Sequence, residues 1–160
     1  MRIVVAPHPD DELIGCFLMI KRGLVDGVAY ADLSNEAEWK AAVSLCEDLG
    51  LEFYTVDEFL RDRPPLRVLF LPSPKERHPL HKRCYYLFSD YPCWVKVTYV
   101  TEMSEGVILL PPDLREEKRG MLDRYYPMKS DLWLYEHKYF LFEGYTVEGE
   151  DALCLLQRLL

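Results

Sequence analysis

Three of the four histidines in this 160-residue chain, His8, His78 and His81, fall in two short stretches. The first reads Ala6-Pro7-His8-Pro9-Asp10-Asp11-Glu12 and the second Arg77-His78-Pro79-Leu80-His81. Two adjacent carboxylates repel, so something positive is needed nearby to keep both ionised. A helix dipole supplies only about 0.3–1 kcal/mol of that, and a divalent cation far more. A His/Asp/His set with an open fourth position is how a catalytic zinc site is built. Zinc held in this way lowers the pKa of a bound water to about 7 and polarises a carbonyl. Plainer readings compete. An Asp-Asp pair before a helix is commonly a cap, and H-x-x-H in a loop is commonly solvated. Spacing alone leaves both open.

The elements that must position these residues follow from periodicity and punctuation. Ile3 to Ala6 is a short apolar run, the mark of a strand buried on both faces. Leu13, Ile14, Phe17, Leu18 and Ile20 then recur at helical spacing, with Gly23 as a stop and Asp10 or Asp11 as the capping carboxylate. Val28 to Leu33 reads as a second strand. Asn35 and Glu38 fit a capping box for a helix through Trp39, Ala42, Val43, Cys46 and Leu49, closed by Gly50. Leu51 to Val56 and Val68 to Leu71 are further strands. Pro72-Ser73-Pro74 opens the loop that carries His78 and His81, and a helix runs from near Pro79 through Leu87. Beyond it we expect strands at Trp94 to Val100 and Val107 to Leu110 and a helix over Asp113 to Tyr125. Tyr139 to Phe142 reads as a late edge strand and Glu150 to Leu160 as an apolar helix. This alternation predicts one α/β domain over residues 1–160, a Rossmann-like three-layer sandwich with a mostly parallel sheet. In such sheets ligands collect beyond the carboxyl ends of the strands. The residues just after Ala6 and just after Leu71 lie in two such loops.

Composition narrows the function classes. With 49% hydrophobic and 29% charged residues, the chain is not a disordered tail, a collagen-like fibre or a low-complexity linker. Nineteen basic against 27 acidic residues leave a net charge of −8, which argues against a general nucleic-acid or anionic-membrane surface. Five cysteines, Cys16, Cys46, Cys84, Cys93 and Cys154, form no C-x-x-C pair, which suits a reducing compartment. The opening apolar run is too short for a signal peptide or a membrane span. The expectation is a cytoplasmic protein without a transmembrane segment.

Val4-Val5-Ala6-Pro7-His8-Pro9-Asp10-Asp11-Glu12-Leu13-Ile14-Gly15-Cys16 resembles the (A/S)-H-P-D-D-E-x-x-G-x signature of the LmbE/PIG-L family, zinc-dependent deacetylases of N-acetylglucosaminyl compounds. His78-Pro79-Leu80-His81 resembles the family's second motif, H-P-D-H. Ser34-Asn35-Glu36 falls where the family has a Gly-Glu, and Lys118-Arg119 with Leu122 and Tyr125 is similar to a late family stretch. The resemblance implies an LmbE-like fold and a hydrolase that removes an N-acetyl group from an amino sugar or its conjugate. It implies that His8, Asp11 and His81 bind Zn2+, and the same ligand types also accept iron, manganese or cobalt. It implies Asp10 as the general base that activates water and His78 as the general acid that protonates the leaving amine and helps hold the oxyanion. Glu36 is implied as a contact to sugar hydroxyls.

Leu80 departs from the family pattern, standing where a carboxylate would orient the acid imidazole and raise its pKa. Two outcomes are open: Glu76 reaches round to substitute, or the imidazole is left under-supported. Pro7 stiffens the turn before the first histidine. A late Ser-Gln is absent, with Met128-Lys129 near that place. Two other functions compete with the deacetylase: a metal- and sugar-binding module with little or no turnover, and a metal hydrolase of another amide or of an ester.

Overall fold

In the first strand, β1 (Arg2–Ala6), Ile3 and Val5 face one layer while Val4 and Ala6 face the other, and all four are fully buried. That double burial is why the segment reads as a continuous apolar run. The computed structural model describes residues 1–101, 107–135 and 142–147. After β1 come α1 (Asp11–Lys21), β2 (Gly27–Tyr30), α2 (Glu36–Leu49), β3 (Glu52–Thr55), α3 (Val56–Asp62), β4 (Leu66–Pro72), α4 (Pro79–Phe88) and β5 (Cys93–Val100). Then follow β6 (Val107–Leu109), α5 (Pro112–Tyr125), a 3-10 turn at Pro127–Lys129, α6 (Ser130–Tyr135) and β7 (Phe142–Val147).

The strands form one sheet in the order β3-β2-β1-β4-β5-β7-β6. Its first five members are parallel, while β7 runs antiparallel to both β5 and β6. Helices α1 and α2 cover one face through Cys16, Met19, Ala42 and Cys46. Helices α3 and α4 cover the other through Val56, Phe59, Cys84 and Phe88. The chain is thus a Rossmann-like α/β sandwich with a mostly parallel sheet. A further apolar layer joins Leu13, Ile14 and Phe17 of α1 to Leu122 and Tyr125 of α5 and Trp133 of α6. Strand order reverses between β1 and β4, so the loops leaving their carboxyl ends flank the crevice where such sheets bind ligands.

Several expectations need correction. Asp10 precedes α1 but its carboxylate caps no helical N–H. Asn35 accepts from the amides of Ala37 (3.0 Å) and Glu38 (3.3 Å), yet the Glu38 carboxylate turns to the Asn35 side chain rather than to its backbone. The complete capping box is Thr55 with Glu58, which starts α3, a helix absent from the sequence reading. Strand β7 begins at Phe142 and lies inside the sheet, not at its edge. Tyr139 and the stretch Glu150 to Leu160 lie outside the described residues.

Helix α1 is bent at Cys16, whose φ of −132° and ψ of 16° are not helical. The Ile14 carbonyl and the Leu18 amide, partners in an unbroken helix, are instead engaged by a buried ion pair. Lys118 Nζ donates to Ile14 O (2.6 Å) and to Glu143 Oε1 (2.9 Å), and Glu143 accepts from Leu18 N (3.1 Å). Gly15, just before the bend, presses on the ring of Tyr99, where a Cβ would overlap the ring. Tyr99 is in turn fixed by its hydroxyl, which donates to Val5 O (2.7 Å). Both devices hold the first turn of α1 against β1 and β5.

Candidate metal centre

The β1–α1 loop starts as β1 ends. His8 lies between two prolines, and Asp10 takes a left-handed backbone (φ 111°, ψ −29°), a strained conformation for a residue with a side chain. That kink turns the chain so that the Asp11 carboxylate folds back on the loop. Its Oδ2 accepts from His8 N (2.8 Å), lies 3.1 Å from His8 Nδ1 and 3.3 Å from His81 Nε2. The β4–α4 loop delivers His81 one turn into α4 and His78 as the residue that caps it. The three imidazoles touch, with ring centroids 4.7–5.4 Å apart, and their candidate ligand atoms all lie within 4.8 Å of one another.

This donor set fits a small divalent ion. Bonds of ~2.0–2.1 Å in a tetrahedron place neighbouring donors about 3.3–3.4 Å apart. The Asp11 oxygen meets that spacing to both His8 Nδ1 and His81 Nε2. The other nitrogen of His81, Nδ1, is held by Glu76 Oε2, and Glu76 is in turn bonded by the backbone and hydroxyl of Thr101. A carboxylate behind a ligand histidine is the usual arrangement for fixing its tautomer. The electrostatics point the same way. Burial works against charge on His81, but Asp11 and Glu76 on opposite sides of its ring push it up to about 10. For Asp11, burial raises the carboxyl pKa, and the bonds to His8 and His81 outweigh it and hold it well below the carboxylate range. The cluster attracts positive charge.

His78 stands differently. Its Nδ1 accepts from Leu80 N (3.2 Å) as the cap of α4. A nitrogen that accepts cannot carry the proton, so the ring's N–H is Nε2. The expectation that Leu80 leaves His78 without orientation therefore changes. Position 80 orients the imidazole through its backbone amide, while the half-buried leucine side chain packs against the core layer under α3 and α4. Glu76 does reach round, but to His81.

Asp10 is buried, and burial together with the Asp11 charge pushes its carboxyl well above the ordinary range against the pull of Lys129. Lys129 Nζ lies 3.2 Å from Asp10 Oδ1 and 3.3 Å from Glu38 Oε2, and donates to Pro9 O (2.6 Å). Glu12 is fully buried, accepting from Asp10 N (3.0 Å) and Tyr126 Oη (2.6 Å), and burial lifts it to about 7. Glu36 is an exposed first-turn residue of α2 paired with Lys40 Nζ (2.6 Å). Its neighbour Glu38 is the one that reaches Lys129. The fold thus brings together His8, Asp10, Asp11, His78 and His81, and leaves Glu36 on the outer side of α2. Sequence reasoning missed the hold of Lys129 on Asp10, the bond from Tyr126 to Glu12 and the bond from Glu76 to His81. The first two come from the far half of the chain, and no local spacing signals them.

No protein-family model matches this chain, and no curated protein matches it. It is similar in structure to GalB, the 4-carboxy-2-hydroxymuconate hydratase from Pseudomonas putida KT2440. The identity is 12%, the match covers 92% of this chain and 95% of that one, and the TM-score is 0.53. A likeness at that identity carries the layered α/β fold alone.

Proposed function

We propose that this protein is a metal-dependent hydrolase with an LmbE/PIG-L-like fold that removes the N-acetyl group from an N-acetylglucosamine-type amino sugar or conjugate. The observation that carries the reading is the single oxygen of Asp11 set between ring nitrogens from two separate loops, 3.1 and 3.3 Å away. His8, Asp11 and His81 would hold the ion, zinc or another divalent transition metal. When bound, such an ion supplies Lewis acidity for an amide carbonyl and for the attacking water. Asp10 accepts a proton from that water, and burial, which raises its carboxyl, makes it the stronger proton acceptor. Lys129 keeps it in place. His78 donates from Nε2 to the oxyanion as the carbonyl becomes tetrahedral. To protonate the leaving amine it must exchange the Leu80 N–H at Nδ1 for a proton, and the C–N bond then breaks to give acetate and a free amine.

The test is acetate release from a panel of N-acetylglucosaminyl compounds by the purified protein with zinc, beside Asp10→Asn. The variant is expected to keep metal and lose most turnover, because an amide cannot take the water's proton; near-parental rates would remove Asp10 from the role. A second reading, a metal- and sugar-binding module with little turnover, is favoured by the hold of Lys129 on Asp10. One equivalent of bound metal and bound sugar without acetate would select it. Water addition, the chemistry in the name of the similar hydratase, and hydrolysis of another amide or an ester would draw on the same base.

A further inference from the structure

Among the described residues Asp10 and Arg63 alone combine a side chain with a positive φ, and at Asp10 that angle is 111°. Its ψ of −29° is ordinary helical backbone, and it is locked, because the Asp10 carbonyl accepts from Leu13 N (3.0 Å) and Ile14 N (2.8 Å). The strain therefore sits in φ alone. Turning over the Pro9–Asp10 peptide would bring φ to about −70°, a relaxed helical value. Two bonds, one at each side of that peptide, oppose the turn. Its N–H donates to Glu12 Oε2 (3.0 Å), and its carbonyl, on Pro9, accepts from Lys129 Nζ (2.6 Å). Glu12 is held in turn by the Tyr126 hydroxyl, which donates to Oε1 (2.6 Å), and both side chains are fully buried. Tyr126 and Lys129 belong to one short turn. Lys129 N donates to Tyr126 O (2.9 Å), Tyr126 N donates to Leu122 O (2.9 Å) at the end of α5, and Pro127 between them has a fixed φ.

We propose that Tyr126 is a positioning residue for the base: through Glu12, and together with Lys129, it holds the Pro9–Asp10 peptide in its strained orientation and so keeps the Asp10 carboxylate aimed. This rests on the hydrolase reading and adds the device that orients its base. A left-handed aspartate persists only where its surroundings over-determine it. Here one rigid turn grips the N–H side of the peptide, its carbonyl side and the carboxylate itself. Lys129 takes Asp10 Oδ1 (3.2 Å) and leaves the other oxygen to accept the proton. Once the peptide turns over, Pro9 O leaves Lys129, and the ammonium loses the carbonyl that keeps it beside Oδ1. A base displaced by about an ångström loses up to about 100-fold in rate.

Tyr126→Phe removes one hydroxyl and no bulk. On the full zinc-loaded chain, with the best substrate of the N-acetylglucosaminyl panel, kcat should fall about 10–100-fold while KM and zinc content stay parental. Glu12→Gln, whose amide can still accept from Asp10 N and donate to Tyr126 Oη, should recover much of the kcat that Glu12→Ala loses. Urea titration checks that each variant is folded under assay conditions. A crystal structure of Tyr126→Phe reads the peptide directly and should show Asp10 at negative φ. Parental kcat in the folded Tyr126→Phe, a loss that appears in zinc content instead, or an Asp10 still left-handed overturns the proposal. If the parent releases no acetate from any member of the panel, the deacetylase reading fails alone, and the φ of Asp10 in the variant decides the clamp.

Discussion

At the scale of single residues, the centre is a contest over positive charge. Asp10, Asp11, Glu12 and Glu76 are all buried, yet among the described residues few cations reach them: Lys129, and the histidines if protonated. An ion would relieve that imbalance, so removing its ligands has a defined cost. Asp11→Ala or His81→Ala should strip metal from the purified protein, read by elemental analysis against the parent; unchanged content in both would contradict the ligand assignment. Glu76→Gln tests the support behind His81. The amide keeps the size but gives up the charge that fixes the ring, and metal affinity should fall about 10–100-fold in a chelator competition. An unaltered affinity would make Glu76 a structural link between β4 and Thr101 and nothing more. The histidines and aspartates themselves were legible, because their types and spacing sit in contiguous motifs. The partner of each ring nitrogen was not, since Glu76 could serve His78 or His81 until α4 fixed which imidazole turned inward.

At the scale of elements, the bend in α1 is the feature on which the centre depends. Lys118 from α5 and Glu143 from β7 hold the carbonyl and amide that flank Cys16, all inside the apolar layer. Removing one member of a buried pair leaves the other charge unpaired, which costs about 3–5 kcal/mol, whereas replacing both by apolar residues costs much less. Lys118→Met should therefore destabilise the fold strongly in urea titration, and adding Glu143→Leu should restore part of the loss. If the double variant is no better than the single, the pair is not acting as a unit. The amphipathic helix α2 was readable from its period and from Gly50, and β1 from its apolar run. The short α3 was passed over although Thr55-x-x-Glu58 spells its capping box, because seven residues hold too little periodicity to register. Strand β6 was read at its place, but the late strand was put at the edge, whereas β7 lies between β5 and β6: a strand's position is decided by which neighbours it meets, not by its own residues.

For the molecule as a whole, the centre occupies one end of the sheet and Arg2, at the start of β1, the other. Asp26 accepts from the Arg2 backbone (2.7 Å) and side chain, and that bonding holds its carboxyl below the ordinary value. A depressed carboxyl stabilises the fold fully above its unfolded pKa of about 3.9 and loses that contribution as pH falls through the folded value. Asp26→Asn should therefore flatten the acid limb of a stability-versus-pH curve and leave the neutral region with a nearly constant offset. An acid limb identical to the parent's would show that Asp26 is not among the groups that set it. Among the described residues no helix is long and apolar enough to cross a membrane.

The sequence by itself determined the strand–helix alternation, the apolar strand β1, and the presence of an imidazole beside paired carboxylates at one strand end and of two imidazoles after another. Those properties are local: each depends on residues a few positions apart, through period, capping and side-chain chemistry. Only the tertiary structure decided that β1 and β4 are neighbours, that one Asp11 oxygen faces nitrogens from both loops, that Lys129 lies against the first loop, and that Lys118 lies against the bend in α1. Such contacts join residues far apart in the chain, and they exist only once burial of the sheet's two faces has fixed which strands lie side by side.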